Sequence, residues 1–244
     1  MQPIYRSYRE IQQFTGDAAH ELRTPLAAIR ATIESVLMLP VWQENEVKES
    51  LEAIERQNNR MSSLVADLLI LSRMDRGIDR NLSQNKCDRI ILNDLISDIA
   101  EEFAALALAS QIELTTDIRV SKPLKIEGNE SQLYRLVSNL AINAIQYTPE
   151  AGKVTLILET DNRYAIIRVK DTGIGIPKIE QSRIFERFYR VNSDRSRHTG
   201  GSGLGLAIAF AIVQSHQGNI QVQSELGTGS TLTIELPLKL RSRI

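Results

Sequence analysis

The residues that could do chemistry first stand close together at His20, Glu21 and Thr24, inside the run FTGDAAHELRTPL from Phe14 to Leu26. Side chains four apart share a helical face, so His20 and Thr24 are expected to point the same way. A neutral imidazole can attack phosphorus, and a neighbouring carboxylate can take or hold the proton it must lose. The local chemistry is that of a histidine that becomes phosphorylated. Pro25 removes a backbone donor just past the cluster and is expected to interrupt or bend the helix. A bend there would let two helix halves move beside the reactive group; a tolerated kink without a role is the other reading.

Four segments farther along carry a second set of groups. Asn139 and Asn143, four apart, put two amides on one helical face. An amide oxygen is a hard ligand of the kind Mg²⁺ accepts, with phosphate oxygens and waters completing its octahedron. Asp171-Thr-Gly173-Ile-Gly175 follows an apolar strand. A carboxylate at a strand end can accept from the adenine amino group, and glycines let the backbone approach a ligand. Phe185 and Phe188 sit one helical turn apart, as a hinge or as simple core. Gly200-Gly-Ser-Gly203-Leu204-Gly205 precedes a helix, and unhindered amides at a helix start form an anion site. No Gly-Lys-Ser/Thr follows, and neither His-Arg-Asp nor Asp-Phe-Gly occurs, so this is not a Walker loop or a protein-kinase loop.

The elements that must position these groups fall into two sets. Apolar residues recur at helical spacing from about Tyr5 to Leu39, and again from about Glu46 to Asp75, with a break at Pro40–Asn45. Two such helices form a hairpin whose stripes are too wide for one partner, and dimerisation into a four-helix bundle is the remedy. Residues 77–85 are polar and without period. Beyond them strands are expected near 86–90, 112–117, 123–128, 154–159, 164–170, 220–224 and 231–236. Helices are expected near 93–110, 130–146 and 204–216, giving an α/β sandwich. The expected division is 1–76 for the helical part, 77–85 for a linker and 86–244 for the sandwich.

With 42% hydrophobic and 24% charged residues, the 244-residue chain has ordinary globular composition. A net charge of −1 gives no reason to invoke nucleic acid or an anionic membrane surface. Cys87, the one cysteine, excludes an internal disulfide, and His20, His198 and His216 lack metal-ligand spacing. No apolar run reaches the length of a membrane span. The first residues enter the helix without a capping signal, as in a chain cut inside a longer helix, so this is expected to be the cytoplasmic catalytic portion of a larger sensor, attached to any membrane only through absent segments.

The run around His20 resembles the H-box of sensor histidine kinases of two-component systems. The paired Asn, the Asp-Gly-Gly segment, the paired Phe and the glycine-rich loop occur in the order found in the ATP-binding Bergerat-fold domain of that family. The resemblance covers the chain from about Phe14 onward. Type II topoisomerases, heat-shock chaperone ATPases and mismatch-repair ATPases share the domain but lack the H-box. The resemblance implies ATP and Mg²⁺ as cofactors, with Asn143 as metal ligand and Asn139 as a polar contact to the phosphates. Asp171 would recognise adenine in a pocket shaped by Gly173 and Gly175, with Tyr147 nearby. Gly201, Gly203, Leu204 and Gly205 would border the triphosphate beneath a lid spanning about 176–202. His20 would be the phospho-acceptor, Glu21 its proton partner, and Thr24 part of a phosphatase geometry. A homodimer and a response-regulator receiver domain are the implied partners. Many relatives carry Lys or Arg where this chain has Gln146, so one phosphate contact is missing, with Arg187 or Arg190 as replacements. A degenerate scaffold, a topoisomerase-like clamp and a serine kinase are the rival readings. The intact site residues argue against the first, the H-box against the second, and a serine kinase would not need His20.

Overall fold

The computed structural model describes residues 2–39, 42–75, 88–191 and 202–239, with side chains from residue 12 onward. The expected linker at 77–85, Cys87, His198 and Gly201 lie outside the described residues. The chain forms two compact units, Met1–Ser72 and Arg73–Ile244.

The first unit is built from α1 (Gln2–Leu37) and most of α2 (Glu44–Asp75). Glu44 and Glu46 sit in the first turn of α2 and Arg73 in its last, the arrangement that complements the helix dipole. This explains why α2 starts two residues before the expected Glu46. The expected interruption at Pro25 does not occur: α1 is one helix of 36 residues with Pro25 inside it. Proline leaves the Glu21 carbonyl without its intrahelical donor, but only that one bond is missing. The Leu-Ala-Ala turn that follows propagates the helix readily. Ile33, Val36 and Leu37 of α1 face Val47, Leu51 and Ile54 of α2 across an apolar cleft of about 150 Å³, with Trp42 beside it. Leu26, Leu37, Leu51 and Leu69 remain more than half exposed. No helix among the described residues is long and apolar enough to cross a membrane.

The second unit is an α/β sandwich. Strand β1 (Asp88–Ile91) pairs antiparallel with β3 (Lys125–Gly128). The main sheet has the order β2-β4-β5-β7-β6, formed by β2 (Glu113–Ile118), β4 (Lys153–Thr160), β5 (Tyr164–Asp171), β6 (Asn219–Glu225) and β7 (Gly229–Pro237). Only β2 and β4 run parallel. The β4–β5 hairpin turns where expected, with Asn162 left-handed at φ 72° and Asp161 Oδ1 accepting from the amides of Arg163 and Tyr164.

Register sorts the side chains into rows. Leu158, Ile167, Ile234 and Ile220 align across four strands, and Leu156, Val169, Leu232 and Val222 form the next row. The third row, Val154, Asp171, Ser230 and Ser224, turns polar at the end of the same face. The opposite face carries Lys170, Thr231, Gln223, Arg168 and Thr233, with Arg168 paired to Glu159.

Three helices supply the second layer: α3 (Leu92–Ala109), α4 (Glu130–Tyr147) and α5 (Gly205–Ser215). Leu133, Leu136, Val137, Leu140, Ala141, Ala144 and Ile145 form the buried stripe of α4 at helical spacing. Asn129 caps α4 by accepting from the Gln132 amide at 3.0 Å.

His216, only 1% exposed, joins the end of α5 to the start of α4. Its Nδ1 donates to the Ile212 carbonyl at 2.9 Å, and its Nε2 accepts from the Asn129 amide at 3.2 Å. A carbonyl can only accept and an amide can only donate, so the ring is the neutral Nδ1–H tautomer. Burial holds its pKa below the ordinary value, against the opposing pull of the Ile212 carbonyl. A histidine that binds its proton more weakly when folded stabilises the fold above its unfolded pKa, near 6.5, and that stability is lost as pH falls below it. Urea titrations should show wild-type stability falling below about pH 6.5 by up to about 1.4 kcal/mol per pH unit relative to His216→Gln, which cannot take the proton. Parallel pH profiles for the two proteins would refute this role.

Candidate functional site

On α1, His20 is exposed and its ring has no hydrogen-bond partner among the described residues. Thr24 Oγ1 donates back to the His20 carbonyl at 3.3 Å, so the threonine is tied to the backbone of the histidine one turn earlier. Glu21 is half-buried, with Arg60 of α2 at 3.9 Å from its carboxylate. His20, Glu21 and Thr24 therefore share two turns of one helix, as their spacing indicates. The histidine is exposed, which suits a group approached from outside.

The remaining candidate residues gather around α4 in the second unit. Asn139, Asn143 and Tyr147 follow one another at intervals of four along one face of the helix. Asn139 Nδ2 donates to the Gly205 carbonyl at 3.1 Å. A Cβ placed on Gly205 would stand 3.8 Å from Asn139 Cγ and 3.8 Å from Asn143 Nδ2. The two amides thus meet the first turn of α5. That helix begins after Leu204 without a side-chain cap, so its first amides are not taken up by a capping side chain. Uncapped amides beside two carboxamides make a place for an anion and a hard cation together. Among the described residues no group of three or more His, Cys, Asp or Glu could hold a metal by itself. Any cation here would be held by amide oxygen and by the ligand's own phosphates.

At the C-terminal end of α4, the Tyr147 carbonyl accepts from the Ile174 amide at 3.1 Å and draws the loop after β5 against the helix. Asp171 is 7% exposed, and its Oδ1 accepts from the amides of Gly173 at 2.8 Å and Ser230 at 3.1 Å. Burial pushes its carboxyl above the ordinary carboxylate pKa, and the two amides pull in the opposite direction. With both donors on Oδ1, Oδ2 is the oxygen left for a ligand amino group.

Gly203 closes the loop that leads into α5. It adopts φ +72°, and a Cβ there would meet the Phe188 backbone at 2.9 Å, so a side chain would be strained twice over. Phe188 is itself left-handed at φ 60°, and its amide donates to the Gly203 carbonyl at 3.0 Å. The expected helical turn between Phe185 and Phe188 is absent: the segment consists of successive turns, because the positive φ of Phe188 cannot continue a helix. Phe185 instead packs on Phe210 of α5, with ring centroids 5.8 Å apart. Arg187, a candidate replacement for the basic residue missing at Gln146, makes two hydrogen bonds to Asp75, at 2.9 and 2.5 Å. Asp75 lies in the last turn of α2, which belongs to the second unit.

The structure thus groups Asn139, Asn143, Leu204 and Gly205 along the middle and C-terminal half of α4, and Tyr147, Asp171 and Gly173 at its C-terminal end, with Gly175 on the same loop as Gly173. Ser230 was not a sequence candidate. The short turn Gly227-Thr-Gly229 before it was a signal that the backbone there approaches something closely.

Residues 128–240 match the family described as Histidine kinase-, DNA gyrase B-, and HSP90-like ATPase, and residues 10–77 match the His Kinase A (phospho-acceptor) domain. The sensor histidine kinase RppB of Synechocystis sp. is 52% identical over 98% of this chain and 51% of its own length. The sensor-like histidine kinase SenX3 of Mycolicibacterium smegmatis is 34% identical over 93% of this chain and 57% of its own. The chain spans about half the length of the curated relatives it matches. Among solved structures, histidine kinase ThkA in complex with response regulator protein TrrA superposes with a TM-score of 0.73 at 20% identity, covering 98% of this chain and 65% of that one, and so shares the fold. His20 lies in the phospho-acceptor match, and the residues around α4 lie in the ATPase match. The chain belongs to the sensor histidine kinases, of which it carries the phospho-acceptor domain followed by the ATPase domain.

Proposed function

We propose that this chain transfers the γ-phosphoryl group of ATP to His20 and then to an aspartate of a response-regulator receiver domain. One juxtaposition carries the reading: the carboxamides of Asn139 and Asn143 meet the uncapped start of α5, while Asp171 lies at the end of β5, ahead of the loop that meets the Tyr147 end of α4. Adenine would lie toward Asp171, Gly173 and Gly175, and the triphosphate toward Gly203, Leu204 and Gly205, with Gly201, two residues before Gly203 in the sequence, as a further proposed contact. Asn143 fits Mg²⁺, because its amide is a hard ligand facing a phosphate-binding helix start. Bound there, Mg²⁺ would neutralise charge on the phosphates. Asn139 is held by Gly205 through its nitrogen, which leaves its oxygen for the same region. Tyr147, 40% exposed, would cover the nucleotide beside Asn143.

At the acceptor, Glu21 would hold the Nδ1 proton and leave Nε2 to attack. Phosphoryl transfer depends mainly on in-line positioning and charge neutralisation, so an exposed ring is enough if the donor is delivered to it. Thr24 would accept a water through its hydroxyl oxygen and direct it at a phosphoaspartate, giving phosphatase activity. The complex of ThkA with TrrA supports a receiver domain as partner. We further propose the division into residues 1–76, 77–85 and 86–244. The exposed Leu26, Leu37 and Leu51 support a homodimer that buries them in a four-helix bundle. The setting would be the cytoplasmic part of a sensor whose remaining segments lie outside this chain.

Incubated with γ-labelled ATP, the chain should acquire acid-labile, alkali-stable phosphate, and His20→Gln should abolish it; undiminished labelling of that variant sinks the acceptor assignment. Asn143→Ala should lower the rate of labelling by about 10-fold to 100-fold, with Mg²⁺ dependence shifted to higher concentration. In sedimentation, the chain should run as a dimer at micromolar concentration and Leu51→Glu should move it toward monomer. A wild-type monomer would refute the bundle.

A further inference from the structure

The loop after β5 is fastened to the end of β6 by one hydroxyl and one carboxamide. Ser224 Oγ accepts from the Ile176 amide at 2.7 Å and donates to the Gly229 carbonyl at 2.9 Å. Its proton committed there, it accepts from Ser230 Oγ at 2.9 Å. One donor and two acceptor sites are the full capacity of a hydroxyl. Gln181 Nε2 donates both its protons, to the Ile176 carbonyl at 2.9 Å and the Ser224 carbonyl at 2.8 Å. The Ile176 residue is therefore held at its amide and its carbonyl together. Between these ties the Gly227 amide donates to the Ile174 carbonyl at 2.8 Å. Gly175, at φ +70°, sits where a Cβ would be 2.0 Å from the Glu225 carbonyl oxygen.

Both amides that orient Asp171 hang on this brace. Gly173 belongs to the loop whose far end Ser224 and Gln181 hold, and Ser230 follows Gly229, whose carbonyl takes the Ser224 proton. We propose that Ser224 and Gln181 are positioning residues for purine recognition. They fix the two amides on Asp171 Oδ1 and thereby aim Oδ2 at the exocyclic amino group of the base. The inference rests on the reading of Asp171 as the adenine-recognising group. Without the brace the carboxylate would turn, and discrimination at purine position 6 would fall while contacts to the phosphates remained.

The test compares ATP with ITP, which carries a carbonyl where adenine carries its amino group, by calorimetric affinity on the full chain with Mg²⁺ present. Ser224→Ala and Gln181→Ala should each weaken ATP binding about tenfold with ITP nearly unchanged, so the preference ratio falls by about the same factor. The effect on His20 labelling should appear in KM for ATP rather than in kcat, and Ser224→Thr should restore the ratio. An unchanged ratio, or equal losses for ATP and ITP accompanied by a lower melting temperature, would overturn the proposal. Should Ser224→Ala fail to fold, Gln181→Ala reads the same ratio. Asp171→Asn separates the two levels: if it loses the preference while the brace variants keep it, the brace fails alone. If Asp171→Asn keeps the preference, the reading of Asp171 falls as well.

Discussion

The register that sets Asp171 opposite Val154 on one side and Ser230 on the other is the constraint on which the catalytic unit depends. Two rows of that face are aliphatic and pack against the helices; the third is polar only because the sheet ends there. A slip of one residue in β5 would send Lys170 into the core and Asp171 to solvent. The aliphatic rows make such a slip costly, since it would also turn out Ile167 and Val169. The core thus fixes the face and the row on which the carboxylate stands, and the polar contacts around it only have to orient it. Burial, which raises the pKa of Asp171, is tolerable because two amides already satisfy one of its oxygens.

Helix α4 acts as the ruler that spaces the rest. Its buried stripe fixes its rotation, so Asn139, Asn143 and Tyr147 must emerge together on another face. Its start is capped by Asn129 and tied through His216 to the end of α5. The same pair of helices is joined again by Asn139 at the start of α5. Two polar ties at opposite ends of an apolar interface prevent the sliding that nonpolar packing alone would permit. The distance between carboxamides and uncapped amides is therefore a property of the helix pair rather than of one loop.

Legibility in the sequence followed the physics of each feature. Alternation in β4, β5 and β7 and the 3.6-residue stripe of α4 revealed the sandwich, because solvent and core impose those periods directly. His20, Asn143 and Asp171 were legible because reactive types stood in specific runs. Ser224 and Gln181 were not, since a lone serine on an edge strand and a glutamine in a turn have no periodic or chemical signature. Their roles arise from a tertiary approach of two loops. The continuity of the helix past Pro25 was not legible for a related reason: a local rule counts the lost hydrogen bond, whereas a long helix sums favourable turns on both sides. The backbone of Phe188 likewise follows its contact with Gly203 rather than its own preference.

The acceptor and the donor site differ in construction in a way that fits their separate tasks. Asp171 and the carboxamides are preorganised by neighbours, because ligand discrimination requires groups that do not relax around the wrong base. His20 has an exposed ring with no hydrogen-bond partner among the described residues, and the order around it lies in its backbone, through the helix and the Thr24 hydroxyl. A buried, bonded imidazole such as His216 has both nitrogens committed and cannot attack phosphorus. A group that must accept phosphate from one site and surrender it to another protein has to be reachable from outside. Selectivity is then set where the nucleotide is held, and the histidine contributes a nucleophile on a stiff support.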